Sequence, residues 1–233
     1  YDFSSIRMAV SGGAALPEEV HRRFKERYGI TILEGYGLSE TSPVASFTLP
    51  GEEVRVGSIG KAIWGVQMRI RRDDGTFAPP GEVGEIVIRG HNVMKGYHNN
   101  SRATAAAIID GWFLTGDIGK MDEDGYFYIL DRKKDIIIRG GMNIYPREIE
   151  EVLYRYPKVR EASVVGVPDE ARGEEVKVYV SPAAGEMLTP EEIMEYLKEH
   201  TARYKWPKEV VVLEDLPKGP TGKILKRELK MRQ

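Results

Sequence analysis

Cysteine is missing from this chain, which removes disulfides, thiolate metal sites and cysteine nucleophiles from consideration. That fits a reducing compartment, and a cytoplasmic location is the expectation. No apolar run approaches the ~20 residues that a membrane-spanning helix needs. No basic segment followed by an apolar one marks a signal peptide at the start. An excess of one charge is missing too: 34 Lys and Arg against 36 Asp and Glu leave a net charge of -2. Such a balance gives no electrostatic footprint for nucleic acid, and a stretch as short as Arg132-Lys133-Lys134 does not reverse it. Histidine is scarce, and His21, His91, His98 and His200 show no metal-ligand spacing.

What is present suits packed domains: 41% hydrophobic residues for cores and 30% charged residues for a hydrated surface. The chain opens on Tyr1-Asp2-Phe3-Ser4-Ser5 just ahead of an apolar run, which suggests a piece of a longer protein. Ile6 to Val10 predicts a strand, and Pro17 opens a helix whose stripe Val20, Phe24 and Tyr28 ends at Gly29. Ile30 to Leu33 predicts the next strand. Residues 1–50 therefore read as the end of a doubly wound α/β subdomain. From 51 to 131 short alternating strands between turns such as Asp73-Asp74-Gly75 predict a small β-barrel or roll. Residues 132–233 alternate strand and helix as a compact α+β domain. Pro146 starts one of its helices, and Thr189-Pro190-Glu191-Glu192 caps another.

Two familiar labels fail on inspection. Gly219-Pro220-Thr221-Gly222-Lys223-Ile224 ends like a phosphate-binding P-loop. That motif needs glycine where Pro217 stands and Ser or Thr where Ile224 stands. Gly37-Leu38-Ser39-Glu40-Thr41 lacks the second glycine of a nucleophile elbow.

Four ordered segments nevertheless resemble the adenylate-forming superfamily, and within it the fatty-acyl–CoA synthetases. They are Glu34-Gly35-Tyr36-Gly37-Leu38-Ser39-Glu40-Thr41 and Asp110-Gly111-Trp112-Phe113-Leu114-Thr115-Gly116-Asp117. Next comes Leu130-Asp131-Arg132-Lys133-Lys134-Asp135, running on to Gly140-Gly141-Met142-Asn143-Ile144-Tyr145-Pro146-Arg147-Glu148-Ile149-Glu150. The last is Pro220-Thr221-Gly222-Lys223-Ile224. The resemblance covers essentially the whole chain. It implies ATP, Mg²⁺ and CoA as ligands, a fatty or other carboxylic acid as substrate, and a C-terminal lid that reorients about a hinge at Lys134.

Residue by residue, the resemblance sets the face of Tyr36 against adenine, with Gly12, Gly13 and Ala14 small enough for the base to approach backbone. Ser39 stands at the family's usual threonine and keeps the hydroxyl for the α-phosphate. Glu40 would ligate Mg²⁺, although on its own an exposed loop acid is the plainer reading. Asp117 would accept from the ribose hydroxyls or else serve a turn after Gly116. Arg132 would contact ribose or phosphate, or remain a surface charge. Lys223 would stabilise charge at the α-phosphate, against the alternative of one more lysine in a basic C-terminal helix. Gly140 and Gly141 would let a pantetheine arm pass close to backbone, and no catalytic role transfers to Ile138. Tyr204 and Lys208 would meet the CoA nucleotide, with Trp206 either stacking there or packed in the core.

The superfamily's phosphate loop and most of its acyl pocket precede this stretch, so the chain alone is expected to form acyl-adenylate poorly. Two other functions fit the residues: an aminoacyl-adenylating domain that loads a carrier protein, and a non-catalytic module that binds nucleotide or a partner. Unpaired strand edges near Ile6 and Ile30 predict a homodimer or swapped assembly. Peripheral contact with a membrane is a further expectation for the parent enzyme.

Overall fold

The computed structural model of the chain describes residues 2–232. It divides into two compact units, Tyr1–Lys133 and Lys134–Gln233. The class is mixed α and β, with three sheets and few helices among the described residues.

The first unit opens with β1 (Ala9–Ser11), α1 (Glu18–Tyr28) and β2 (Ile32–Gly37), and the two strands pair in parallel. β3 (Val44–Phe47) and β4 (Lys61–Ala62) extend this sheet antiparallel in the order β1-β2-β3-β4. Gly37 is required where β2 meets β3: a Cβ there would lie 1.6 Å from the Pro43 carbonyl oxygen. Two sequence expectations need correction here. The first strand begins at Ala9, and Ile6 and Met8 stand exposed outside it. The stripe of α1 is not buried either: Val20 is 41% and Tyr28 38% exposed, whereas His21 is buried, its Nε2 3.2 Å from the Ile32 carbonyl. A period of four marks an apolar face, but burial needs something to cover it. Phe24 and Tyr28 pack on each other instead, with Phe3 edge-on to Tyr28.

The same unit continues with β5 (Val66–Arg71), β6 (Gly84–Gly90), α2 (Ser101–Ala107), β7 (Ile108–Ile109), β8 (Trp112–Met121) and β9 (Phe127–Arg132). Their sheet runs β5-β6-β8, and β7 and β9 share the far edge of the long strand β8. Strict alternation along β5 turns Val66, Met68 and Ile70 inward, where Ile86, Ile88 and Phe127 complete a core. An ion-pair cluster holds the β8–β9 turn: Arg55 meets Glu53, Asp122 and Asp124, and lies over the Tyr126 ring.

The second unit holds β10 (Ile137–Arg139), β11 (Met142–Ile144), α3 (Pro146–Tyr154), β12 (Val159–Asp169), β13 (Gly173–Pro182), α4 (Pro190–His200), β14 (Glu209–Val212) and α5 (Lys226–Lys230). The sheet order is β11-β10-β13-β12, and β14 pairs with β13 in parallel. Pro146 sits in the first turn of α3, which buries Ile149 and Leu153. Thr189 caps α4 by accepting from the Glu192 N–H at 3.2 Å. Buried Ile193 and Leu197 close the core over Val164, Val176, Val178 and Val180.

On the β12–β13 hairpin a second, smaller cluster of Val165, Tyr179, Leu216 and Leu229 receives α5. The Tyr179 hydroxyl donates to the Leu229 carbonyl at 2.9 Å and lies 3.2 Å from that of Arg232. Lys226–Glu150 (2.8 Å) and Lys230–Asp135 (3.6 Å) add ion pairs to the same helix.

Candidate functional site

In the first unit three of the predicted residues, Tyr36, Asp117 and Arg132, meet between β2 and the sheet that holds β8 and β9. Tyr36 lies within β2, not in a turn, because its backbone pairs with Ser46 of β3. Asp117 likewise lies in mid-strand on β8, opposite Arg132 of β9. That cross-strand register brings the side chains together. Arg132 Nε donates to Asp117 Oδ1 at 3.1 Å, and the Tyr36 hydroxyl donates to Oδ2 at 2.5 Å. Asp117 is 3% exposed, and these two donors satisfy its buried oxygens. Burial pushes the Tyr36 phenol well above its ordinary pKa, and the adjacent carboxylate raises it further. The phenol therefore stays a protonated donor, with its ring held in place.

Gly12 comes close to this group, since a Cβ there would lie 3.1 Å from the Gly35 carbonyl oxygen. Gly13 and Ala14 are exposed, and Gly13 has positive φ. Glu34 is buried, and its carbonyl accepts from the Thr48 N–H at 2.9 Å. Ser39 and Glu40 form a short 3-10 turn with Thr41, whose hydroxyl accepts from the Leu38 N–H. Ser39 is exposed and Glu40 half-buried.

Sequence reasoning missed Tyr97. Its hydroxyl donates to Glu40 Oε1 at 3.0 Å, and the Met94 N–H donates to the Glu40 carbonyl at 2.8 Å. The segment Met94-Lys95-Gly96-Tyr97 thus holds both ends of Glu40. Among the described residues no group of three or more His, Cys, Asp or Glu could hold a metal. Glu40 offers a single carboxylate, which is no closed metal site but lies within the one or two that Mg²⁺ commonly takes together with substrate phosphate oxygens and water.

In the second unit Gly140 and Gly141 form the two-residue turn between β10 and β11, with φ of 57° and 83°. Two successive positive φ values define a hairpin turn that glycine enters without steric cost. The turn opens on a groove of ≈ 860 Å³. Arg139, Arg172, Lys198 and Arg203 contribute cations to its lining, and Met142, Met194, Tyr204 and Trp206 supply apolar surface. No carboxylate is among the described residues that line it. Trp206 is half-buried, its indole N–H donating to the Thr201 carbonyl at 3.1 Å.

Lys208 lies apart from that lining and pairs with Asp169 at 2.7 Å. Lys223 is exposed in a tight turn where the Gly219 N–H donates to its carbonyl at 2.9 Å. A bridge between Lys218 and Ile224 closes this turn, and Lys218 also pairs with Glu161.

Comparison with known proteins adds the lineage. Residues 1–98 match the model of the AMP-binding enzyme family, and residues 148–223 match the model of the AMP-binding enzyme C-terminal domain. The chain belongs to the AMP-binding enzyme family. Among AMP-binding enzymes it is 48% identical over 230 residues to a long-chain-fatty-acid–CoA ligase of Bacillus subtilis, covering 98% of this chain and 41% of that protein. It is 43% identical to a feruloyl-CoA synthase of an Amycolatopsis species, covering 99% and 47%. The crystal structure of ATP-bound MatB from Rhodopseudomonas palustris matches with a TM-score of 0.91 at 36% identity, covering 95% and 44%. The chain thus spans less than half the length of these AMP-binding enzymes.

Proposed function

We propose that this chain is part of an ATP-dependent, AMP-forming acid–thiol ligase, which joins a carboxylic acid to CoA through an acyl-adenylate. The observation that carries this reading is the Tyr36–Asp117–Arg132 group. An aromatic ring and a buried carboxylate, fixed to each other and to a cation, suit a nucleoside. Each Asp117 oxygen keeps a second lone pair for a ribose hydroxyl. Ser39 and Glu40 would serve the phosphates and their Mg²⁺.

The cationic, partly aromatic groove at Gly140 suits the phosphorylated nucleotide end of CoA, with Tyr204 and Trp206 available for stacking. Lys223 would supply the ammonium at the α-phosphate, an effect worth about 3–4 kcal/mol where a comparable charge-stabilising donor is removed. Lys134, first residue of the second unit, is the proposed hinge. A fatty acid is the favoured substrate, because the relative at 48% identity carries that name. The ferulate relative leaves other acids open to test. No described helix is long and apolar enough to cross a membrane.

Titration of this chain with ATP and AMP tests the nucleotide reading. The expected result is weak binding that Asp117→Ala abolishes while circular dichroism stays unchanged. Equal binding by the variant would sink the assignment.

A further inference from the structure

Arg139 occupies an unusual position at the edge of the groove. Its backbone pairs with Met142 across the glycine turn and with Gly173 of β13. Its side chain turns elsewhere. Nη1 donates to the Tyr204 carbonyl at 3.0 Å and to the Trp206 carbonyl at 2.9 Å, while Nε pairs with Glu175 at 2.8 Å. The side chain is 12% exposed, and that of Glu175 6%. One residue therefore ties together the glycine turn, the 172–175 segment and the 203–206 segment.

We propose that Arg139 is a positioning residue, which locks the Gly140–Gly141 turn to the Tyr204–Trp206 wall so that the two meet a polyanionic ligand as one surface. This rests on the reading of the groove as the CoA nucleotide site. Electrostatics gives the reason for an arginine. The carbonyls of Tyr204 and Trp206 carry partial negative charge beside a groove meant for phosphates, and left unpaired they would repel the ligand. The guanidinium occupies both, and its own charge is balanced by Glu175 behind it. Arg139 is thus committed to the frame. Lys198 and Arg203 remain to meet the phosphates, while Arg172, whose Nη1 lies 3.4 Å from the other Glu175 oxygen, shares that carboxylate at the groove's edge. The planar guanidinium gives one nitrogen, Nη1, to both carbonyls and holds Nε in ion-pair contact with Glu175 without a directed hydrogen bond. A lysine ammonium, by contrast, is a point charge on a flexible stem.

Hydrogen exchange of the unliganded chain, together with calorimetric titration of CoA, tests the proposal through Arg139→Lys. The Gly140 amide, bonded to the Arg172 carbonyl, and the Lys205 and Trp206 amides, bonded within their turn, report on the two segments. In the variant, exchange in both segments should rise about tenfold while the amides of α3 stay unchanged. CoA affinity should fall by a similar factor. Lys198→Ala serves as the contrast: weaker CoA binding with unaltered exchange. Faster exchange in one segment only, in neither, or equally in α3 overturns the coupling. Should the wild-type chain bind no CoA, the groove's reading as a coenzyme site falls, and the exchange data still decide the role of Arg139.

Discussion

The Tyr36 hydroxyl donates to Asp117 across 81 residues of sequence and between two different sheets. The bond makes the Tyr36 ring and the Asp117 carboxylate, proposed above to meet adenine and ribose, a single object. Tyr36→Phe keeps the ring but leaves one oxygen of a buried carboxylate short of a donor, a loss of about 1–3 kcal/mol. Chemical denaturation should show this in the transition of the first unit, with nucleotide affinity falling alongside.

Asp122 predicts an acid-sensitive step. Burial alone would raise its pKa, but the Tyr126 N–H, the Arg55 guanidinium and the Tyr128 hydroxyl outweigh that and hold it below 3.8. A carboxyl depressed in the folded state contributes stability above its unfolded value, and that contribution disappears as pH falls through the folded value. Thermal midpoints measured from pH 6 down to pH 2 should therefore fall through the region below about pH 4. Asp122→Asn should start lower and flatten that part of the curve.

Leu229→Ala tests how the Lys223 turn is supported. Leu229 is fully buried with Tyr179, Leu216 and Val165, and Ile224 packs on the same cluster. Truncation should cost about 2–5 kcal/mol. Exchange should quicken through 217–225 before it does in α3. Unchanged protection of the turn would show that it is held from elsewhere.

Gly37→Ala is the sharpest steric prediction. A methyl 1.6 Å from a backbone oxygen forces β2 and β3 apart, at about 3 kcal/mol or more. Soluble yield and denaturation midpoint should both drop, whereas Gly13→Ala, which meets no atom within 4 Å, should cost less.

How far the sequence could be read depended on distance along it. Pro146, the Thr189 cap and the Gly140–Gly141 turn act within a few residues, and local chemistry announces them. The α1 stripe was visible as a pattern, but no periodicity says what lies across from it. Tyr97 was hidden because its acceptor, Glu40, lies 57 residues away. The partners of Arg139 were hidden for the same reason, its acceptors lying 65 and 67 residues distant. Neither pairing leaves a local signature, since a tyrosine and an arginine suit many exposed positions equally well. β14 also went unread: four residues with a parallel partner 32 positions earlier give no hairpin signal.

The Tyr179 clasp sets an order of events as well as a shape. Its acceptors, Leu229 and Arg232, lie 50 and 53 residues further along the chain. The β12–β13 hairpin closes over a short connection, whereas the clasp must wait for a long loop to find its partner, at an entropic cost that grows with loop length. Refolding of the second unit should therefore be biphasic in character, the sheet first and α5 afterwards. The turn that carries Lys223 would be the last part of the unit to take form.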